Sequence, residues 1–219
     1  MTKAPHAAQP RRPYHSLARE QHAEESRQHI LDAARSLFLQ KGYVGTTLDA
    51  IAEGARLSPK TVTAVFGSKL GVLAELLRPA TFGQPYQHLL ERIQSDPDPV
   101  QRVALVAEIT WQVYDARAPE LNLLRGAASV APELAELARQ VEARRREKQE
   151  HLISYLVNRS VLRQDLQPEE ATDELWALTS YDLYHKFVVE RSWTSERYKE
   201  WLAGMLLQRL LDPSSFPRP

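Results

Sequence analysis

Between Thr46 and Lys69 the chain sets small hydroxyl side chains and single cations at close helical spacing: Thr47, Ser58, Lys60, Thr61, Thr63 and Lys69. The chemistry open to such a set is recognition rather than bond making. Hydroxyls and amines of this size exchange hydrogen bonds with base edges and phosphate oxygens without filling a groove. Catalytic constellations are missing. The chain has no Gly-x-Ser-x-Gly elbow, no His-Glu-x-x-His, no glycine-rich phosphate loop and no Cys/His cluster. Its seven histidines are scattered, and solvated helix faces explain its carboxylates. No enzyme activity, metal or cofactor is expected.

Two short helices and the start of a third must position that set. Leu48, Ile51, Ala52 and Ala55 recur at i, i+3, i+4 and i+7, which predicts a helix from Thr46 or Thr47 to about Ala55. Ser58 is a good N-cap, and Pro59 sits where a missing N–H costs nothing. Val62 and Phe66 turn inward from this second helix, with Lys60, Thr61, Thr63 and Ala64 outward. The outward face is small and polar, with one cation, and fits a major groove. Ser68 caps the third helix. Lys69 in its first turn opposes the helix dipole, which predicts an external anion such as a DNA phosphate. Ahead of them, Ile30, Ala33, Ala34, Leu37 and Phe38 predict a helix from about Glu25 to Lys41, closed by Gly42.

Residues 27–77 resemble the DNA-binding domain of the tetracycline-repressor-like (TetR) transcription regulators. The resemblance rests on Gly42-Tyr43, Thr46-Thr47, Ile51-Ala52, Ser58, Phe66 and Ser68-Lys69, in that order. Three positions depart from the pattern. Arg56 stands where the turn usually has Gly, Thr63 replaces a phosphate-touching Tyr, and Val65 replaces a His or Tyr. The resemblance implies an all-α fold, with a three-helix helix-turn-helix head and a helical body. It implies a homodimeric regulator, most simply a repressor released from a palindromic operator on double-stranded DNA by a small-molecule effector. It also implies that the helix after Ser68 ties head to body and that the last two helices pair with those of a second copy. The alternative is a helical ligand-binding or scaffold protein whose head no longer binds DNA specifically; the Thr63 and Val65 departures are its support.

Composition agrees with a basic head on an acidic body. Net charge is zero over 219 residues, but residues 1–80 hold 11 Lys/Arg against 7 Asp/Glu. No run of 18 apolar residues predicts a membrane span, and the polar, Pro-rich start lacks a secretory core. With no cysteine to form disulfides, a cytoplasmic location is expected. Four segments are expected: a disordered basic arm over 1–24 carrying Lys3, Arg11, Arg12 and Arg19, a head over 25–78, a regulatory and dimerisation body over 79–212, and a tail over 213–219.

Past Pro79 every stretch reads as helix, with prolines as breaks: about 84–95, 99–117, 119–129, 132–160, 168–191 and 194–211. The Arg144–Arg146 run reads as a solvated face with Glu142–Arg146 and Arg146–Glu150 pairs. A ligand pocket would draw on Trp111, Tyr114, Asp115, Arg125, Trp176, Thr179 and Ser180, an apolar set with a few placed polar groups; ordinary core packing is the competing use of these residues. The last two helices are apolar on more than one side. Their second side is expected to meet a second copy through Trp176, Leu183, Phe187, Trp201, Met205 and Leu206.

Overall fold

A computed structural model describes residues 14–78, 83–127 and 131–215. Among them the chain is all α, with one isolated bridge between Leu162 and Leu211 in place of any sheet. The helices are α1 (Tyr14–Lys41), α2 (Leu48–Gly54), α3 (Pro59–Phe66), α4 (Lys69–Leu76), α5 (Gly83–Ser95), α6 (Pro99–Ala127), α7 (Pro132–Asn158), α8 (Pro168–Leu178), α9 (Tyr181–Tyr184) and α10 (Ser195–Leu210). A π-helical turn, His185–Glu190, follows α9. None of the described helices is long and apolar enough to cross a membrane. The chain divides into two compact units, Met1–Val72 and Leu73–Pro219, and the division falls within α4.

In the first unit Ile30, Leu31, Ala34 and Phe38 of α1 are buried, as are Ile51 and Ala52 of α2 and Val62 of α3. The helix α1 begins eleven residues before the expected Glu25, at Tyr14. Its added turns bury nothing from Arg19 to Glu25. The run LAREQHAEESRQ is rich in strong helix formers and free of Gly and Pro, so propensity extends the helix beyond its buried face. Of the expected basic arm, Arg19 lies on this helix, exposed. Lys3, Arg11 and Arg12 lie outside the described residues.

In the second unit the core is built on α10. Tyr198, Leu202, Leu206 and Leu210 are wholly buried at four-residue spacing, against Val103 and Ala107 of α6, Ile153 and Leu156 of α7, and Leu175 of α8. Two expected boundaries moved. Pro119 does not break the chain; it lies inside α6, where it forgoes one helical hydrogen bond. The carbonyl of the preceding Ala118 accepts from the Tyr181 hydroxyl at 3.0 Å. Conversely, the expected continuous helix 168–191 is cut at Thr179 and Ser180. Ser180 is extended (ψ 148°) and caps α9 by accepting from the Leu183 N–H at 3.3 Å. A serine that can bond the backbone locally competes with helix continuation, a signal that apolar periodicity alone does not carry.

Candidate nucleic-acid interface and effector region

The head presents α3 as expected. Ser58 Oγ accepts from the Thr61 N–H at 3.1 Å, and Pro59 occupies the first helical position. Val62 is the buried residue of this helix, while Lys60, Thr63 and Ala64 are exposed. The Thr61 hydroxyl pairs with Ser58 Oγ at 2.8 Å, and Thr63 Oγ1 donates to the Pro59 carbonyl at 3.0 Å. Both hydroxyls keep lone pairs for an outside donor. Thr47 is exposed and caps α2, accepting from the Ala50 N–H at 3.1 Å. Val65 joins the outward face at 44% exposure. Together with Ala64 it adds a methyl-bearing surface able to contact thymine methyls. An apolar residue where a polar or aromatic one is usual was the signal for it.

Lys69 has a different place from the one its position in the sequence predicted. Its ammonium donates to the carbonyls of Tyr43 (2.7 Å) and Thr46 (2.8 Å) and lies 4.2 Å from the centre of the Tyr43 ring. The Thr46 side chain is buried, and its Oγ1 donates to the Gly42 carbonyl at 2.8 Å. The carbonyls that follow the end of α1 are thus tied down by one hydroxyl and one ammonium. That explains why Gly42-Tyr43, Thr46 and Ser68-Lys69 occur together. The charge satisfies main-chain acceptors within the head. Gly71 completes the joint: a Cβ there would lie 2.0 Å from the Phe66 carbonyl, so only glycine lets α4 start this close to the end of α3.

In the body the seven pocket candidates separate. Tyr114 and Thr179 come together: the buried Tyr114 hydroxyl donates to the Thr179 carbonyl at 2.6 Å. Thr179 is a hub. Its Oγ1 donates to the Leu175 carbonyl (2.6 Å) and accepts from Gln149 Nε2 (2.7 Å) and Arg145 Nη1 (2.8 Å). Around it Tyr114, Tyr181 and Tyr184 pack with ring centres 5.2–6.0 Å apart, and Tyr198 meets Tyr184 edge-on at 5.2 Å. Burial raises the pKa of the Tyr114 and Tyr198 hydroxyls and pushes that of Tyr181 up to about 12. Gln149 Oε1 and the Tyr198 hydroxyl are buried with no hydrogen-bond partner among the described residues.

The other candidates face outward or do local work. Asp115 is exposed and accepts from Ser195 Oγ at 2.7 Å. Arg125 pairs with Asp182 on the surface at 2.6 Å, and Ser180 is the cap of α9. Trp111 is half-buried under the Lys199 ammonium, 4.4 Å from its ring centre. Trp176 is 38% exposed and donates its indole N–H to Glu142 at 2.9 Å. It lines a surface depression of about 520 Å³ with Glu142, Ala143, Arg146, Asp173 and Ala177.

Arg145 and Gln149 were not among the expected site residues. They read as part of a charged, solvated stretch, yet Arg145 Nη1 also donates to the Trp176 carbonyl (2.8 Å) and so caps the end of α8. Glu142 pairs with Arg145 (2.6 Å) instead of Arg146, which pairs with Asp173 (2.6 Å) and, as expected, Glu150 (3.4 Å). Among the expected interface residues, Leu183, Phe187, Trp201 and Met205 are half-buried. Leu206 is wholly buried in the core of its own chain and has no surface to offer a partner.

Residues 30–76 match the family described as bacterial regulatory proteins, tetR family. Solved structures of similar fold include a TetR-family transcriptional regulator from Syntrophomonas wolfei, 22% identical over 84% of this chain and 93% of that one, with a TM-score of 0.71. NalD, the secondary repressor of the MexAB-OprM multidrug efflux pump in Pseudomonas aeruginosa, is 25% identical over 87% of this chain and 99% of its own, at a TM-score of 0.68. A transcriptional regulator from Saccharomonospora viridis, solved in complex with choline, is 19% identical over 86% and 99%, at 0.66. No curated protein sequence matches the chain.

Proposed function

We propose that this chain, which carries the DNA-binding head of the tetR family and shares the fold of TetR-family transcriptional regulators, is a cytoplasmic homodimeric repressor that a small molecule releases from a palindromic operator. The observation that carries the reading is the outward face of α3. It is capped by Ser58, exposed at Lys60, Thr63, Ala64 and Val65, and tethered from behind by Val62. Its first residues enter the major groove: Lys60 and Thr61 read base edges, and Thr63 lies further along the same face. Thr47 and Ser58 meet the backbone and set the depth of insertion.

The dimer face is drawn from the outward side of the last helices, with Trp176, Leu183, Phe187, Trp201 and Met205, and without Leu206. Trp176 and Val189 are exposed apolar side chains on this part of the chain. The effector acts on the region of Tyr114 and Thr179, where buried polar groups lie within an aromatic core. An effector that favours one body conformation weakens DNA binding by the same factor that DNA weakens the effector. The repressor role is supported by the likeness to NalD at 25% identity.

Selection of bound duplexes from a random pool at near-physiological salt tests this. A palindrome with half-sites about one helical turn (roughly 34–36 Å) apart is expected. Recovery of no motif, with binding indifferent to salt, would sink the regulator reading and leave a helical protein with a silent head.

A further inference from the structure

The turn that delivers α3 is built on a residue whose side chain has no hydrogen bond or ion pair among the described residues. The helix α2 ends at Gly54 with Ala55 as cap, and two hydrogen bonds close the turn: Arg56 N–H to the Glu53 carbonyl (3.0 Å) and Leu57 N–H to the Ala52 carbonyl (2.9 Å). This bond pair is the Schellman arrangement, which requires a left-handed residue at the position after the cap. That residue is Arg56, at φ 57°. Glycine is the residue that adopts this conformation without a steric penalty; any side chain with a Cβ is disfavoured there.

Among the described residues the Arg56 side chain adds nothing to the two main-chain bonds that hold the turn. Arg56 is exposed, and its guanidinium makes no hydrogen bond or ion pair among the described residues, although Asp49 and Glu53 lie on the same short helix. Two other cations of the head are engaged within it, while Lys60, like Arg56, is exposed. Arg27 lies over the Phe66 ring and near Glu24, and Lys69 is held by two carbonyls. Arg56 therefore stands two residues ahead of the Ser58 cap as an unengaged cation, with exposed Lys60 two residues beyond that cap. Non-glycine residues at positive φ are enriched at functional sites; Ser160 and Ser192 of the body share the conformation, at φ 55° and 56°.

We infer that Arg56 is a DNA-backbone contact. Its guanidinium binds a phosphate beside the N-terminal end of α3 and fixes the depth at which that helix sits. The inference rests on the proposal that α3 enters the major groove.

The test uses the full chain as wild type, Arg56→Gly and Arg56→Lys. Two probes are used: the duplex recovered by selection and a mixed-sequence duplex of equal length. Binding is measured across a salt series, and each protein is also melted. Glycine relieves the left-handed residue, so Arg56→Gly is expected to melt at or above the wild-type temperature. Its affinity is expected to fall on both duplexes alike, about five-fold per bound protomer at 0.15 M salt. The salt slope should become shallower by about 0.9 per protomer, the value for one phosphate contact. Arg56→Lys keeps the slope. A wild-type slope for Arg56→Gly overturns the contact. A loss confined to the selected duplex overturns it in favour of base reading, and a lower melting temperature shows that the arginine is held by its own chain. If the wild type itself shows no salt-dependent duplex binding, the regulator reading fails, and the contact fails with it.

Discussion

Replacing Lys69 with methionine separates two roles for one residue. Methionine keeps the apolar stem and removes the ammonium. The charge-assisted hydrogen bonds to the Tyr43 and Thr46 carbonyls, at 2.7 and 2.8 Å, are each worth roughly 1.5–3 kcal/mol net. The placement over the Tyr43 ring adds about 0.5–1 kcal/mol. Against this, ordering a lysine side chain costs up to about 2 kcal/mol, and water can reach part of this half-buried joint. A net loss of about 2–4 kcal/mol from the head is expected. All four tryptophans lie beyond residue 110, so tryptophan fluorescence follows the body alone while far-UV circular dichroism follows both units. In a urea titration the dichroism of Lys69→Met should fall at lower urea while the fluorescence transition keeps its midpoint. Where the variant is folded, the salt slope of DNA binding should match the wild type. A stability within about 0.5 kcal/mol of wild type, together with a slope shallower by about 0.9 per protomer, would refute the reasoning and return Lys69 to the phosphate.

Two further tests address the body. Thr179→Val keeps the shape but removes the hydroxyl that bonds Arg145, Gln149 and the Leu175 carbonyl, leaving Gln149 Nε2 without its acceptor. A cost of about 2–4 kcal/mol is expected in urea unfolding, and a neutral result would show that the hub is not structural. The buried tyrosines give a pH signature. Tyr114, Tyr181 and Tyr198 hold their protons in the folded state above the ordinary value of 10.0. The stability they contribute is therefore complete below pH 10 and is lost as pH rises through the folded values, about 12 for Tyr181. Tyr198→Phe removes one of these ionisations and a hydroxyl without a partner among the described residues, so it should leave neutral-pH stability near wild type and soften the alkaline decline. Equal stability at pH 10 and pH 12 would contradict the burial argument.

Local rules account for what was legible in the sequence. Caps, proline at the first helical position and apolar spacing act within one or two turns, so Ser58, Pro59 and buried Val62 were readable without coordinates. For the same reason the all-α class, the tetR-like resemblance over residues 27–77 (the family match covers 30–76) and the outward set on α3 followed from the sequence alone. What depended on distant partners was not readable. Lys69 sits in a first turn that calls for an anion, yet its acceptors are carbonyls 23 and 26 residues away. Arg145 and Gln149 sit in a run that looks solvated, and only the approach of α7 to the break at Thr179 gives them buried work. Trp176 and Leu206 belong to the same kind of apolar stripe, and packing turned one outward and the other fully inward. Periodicity states that a face is buried. It does not state which neighbour buries it, because that is set by how helices far apart in the chain cross, and in this protein that crossing decided the use of Tyr114, Arg145, Gln149 and Leu206.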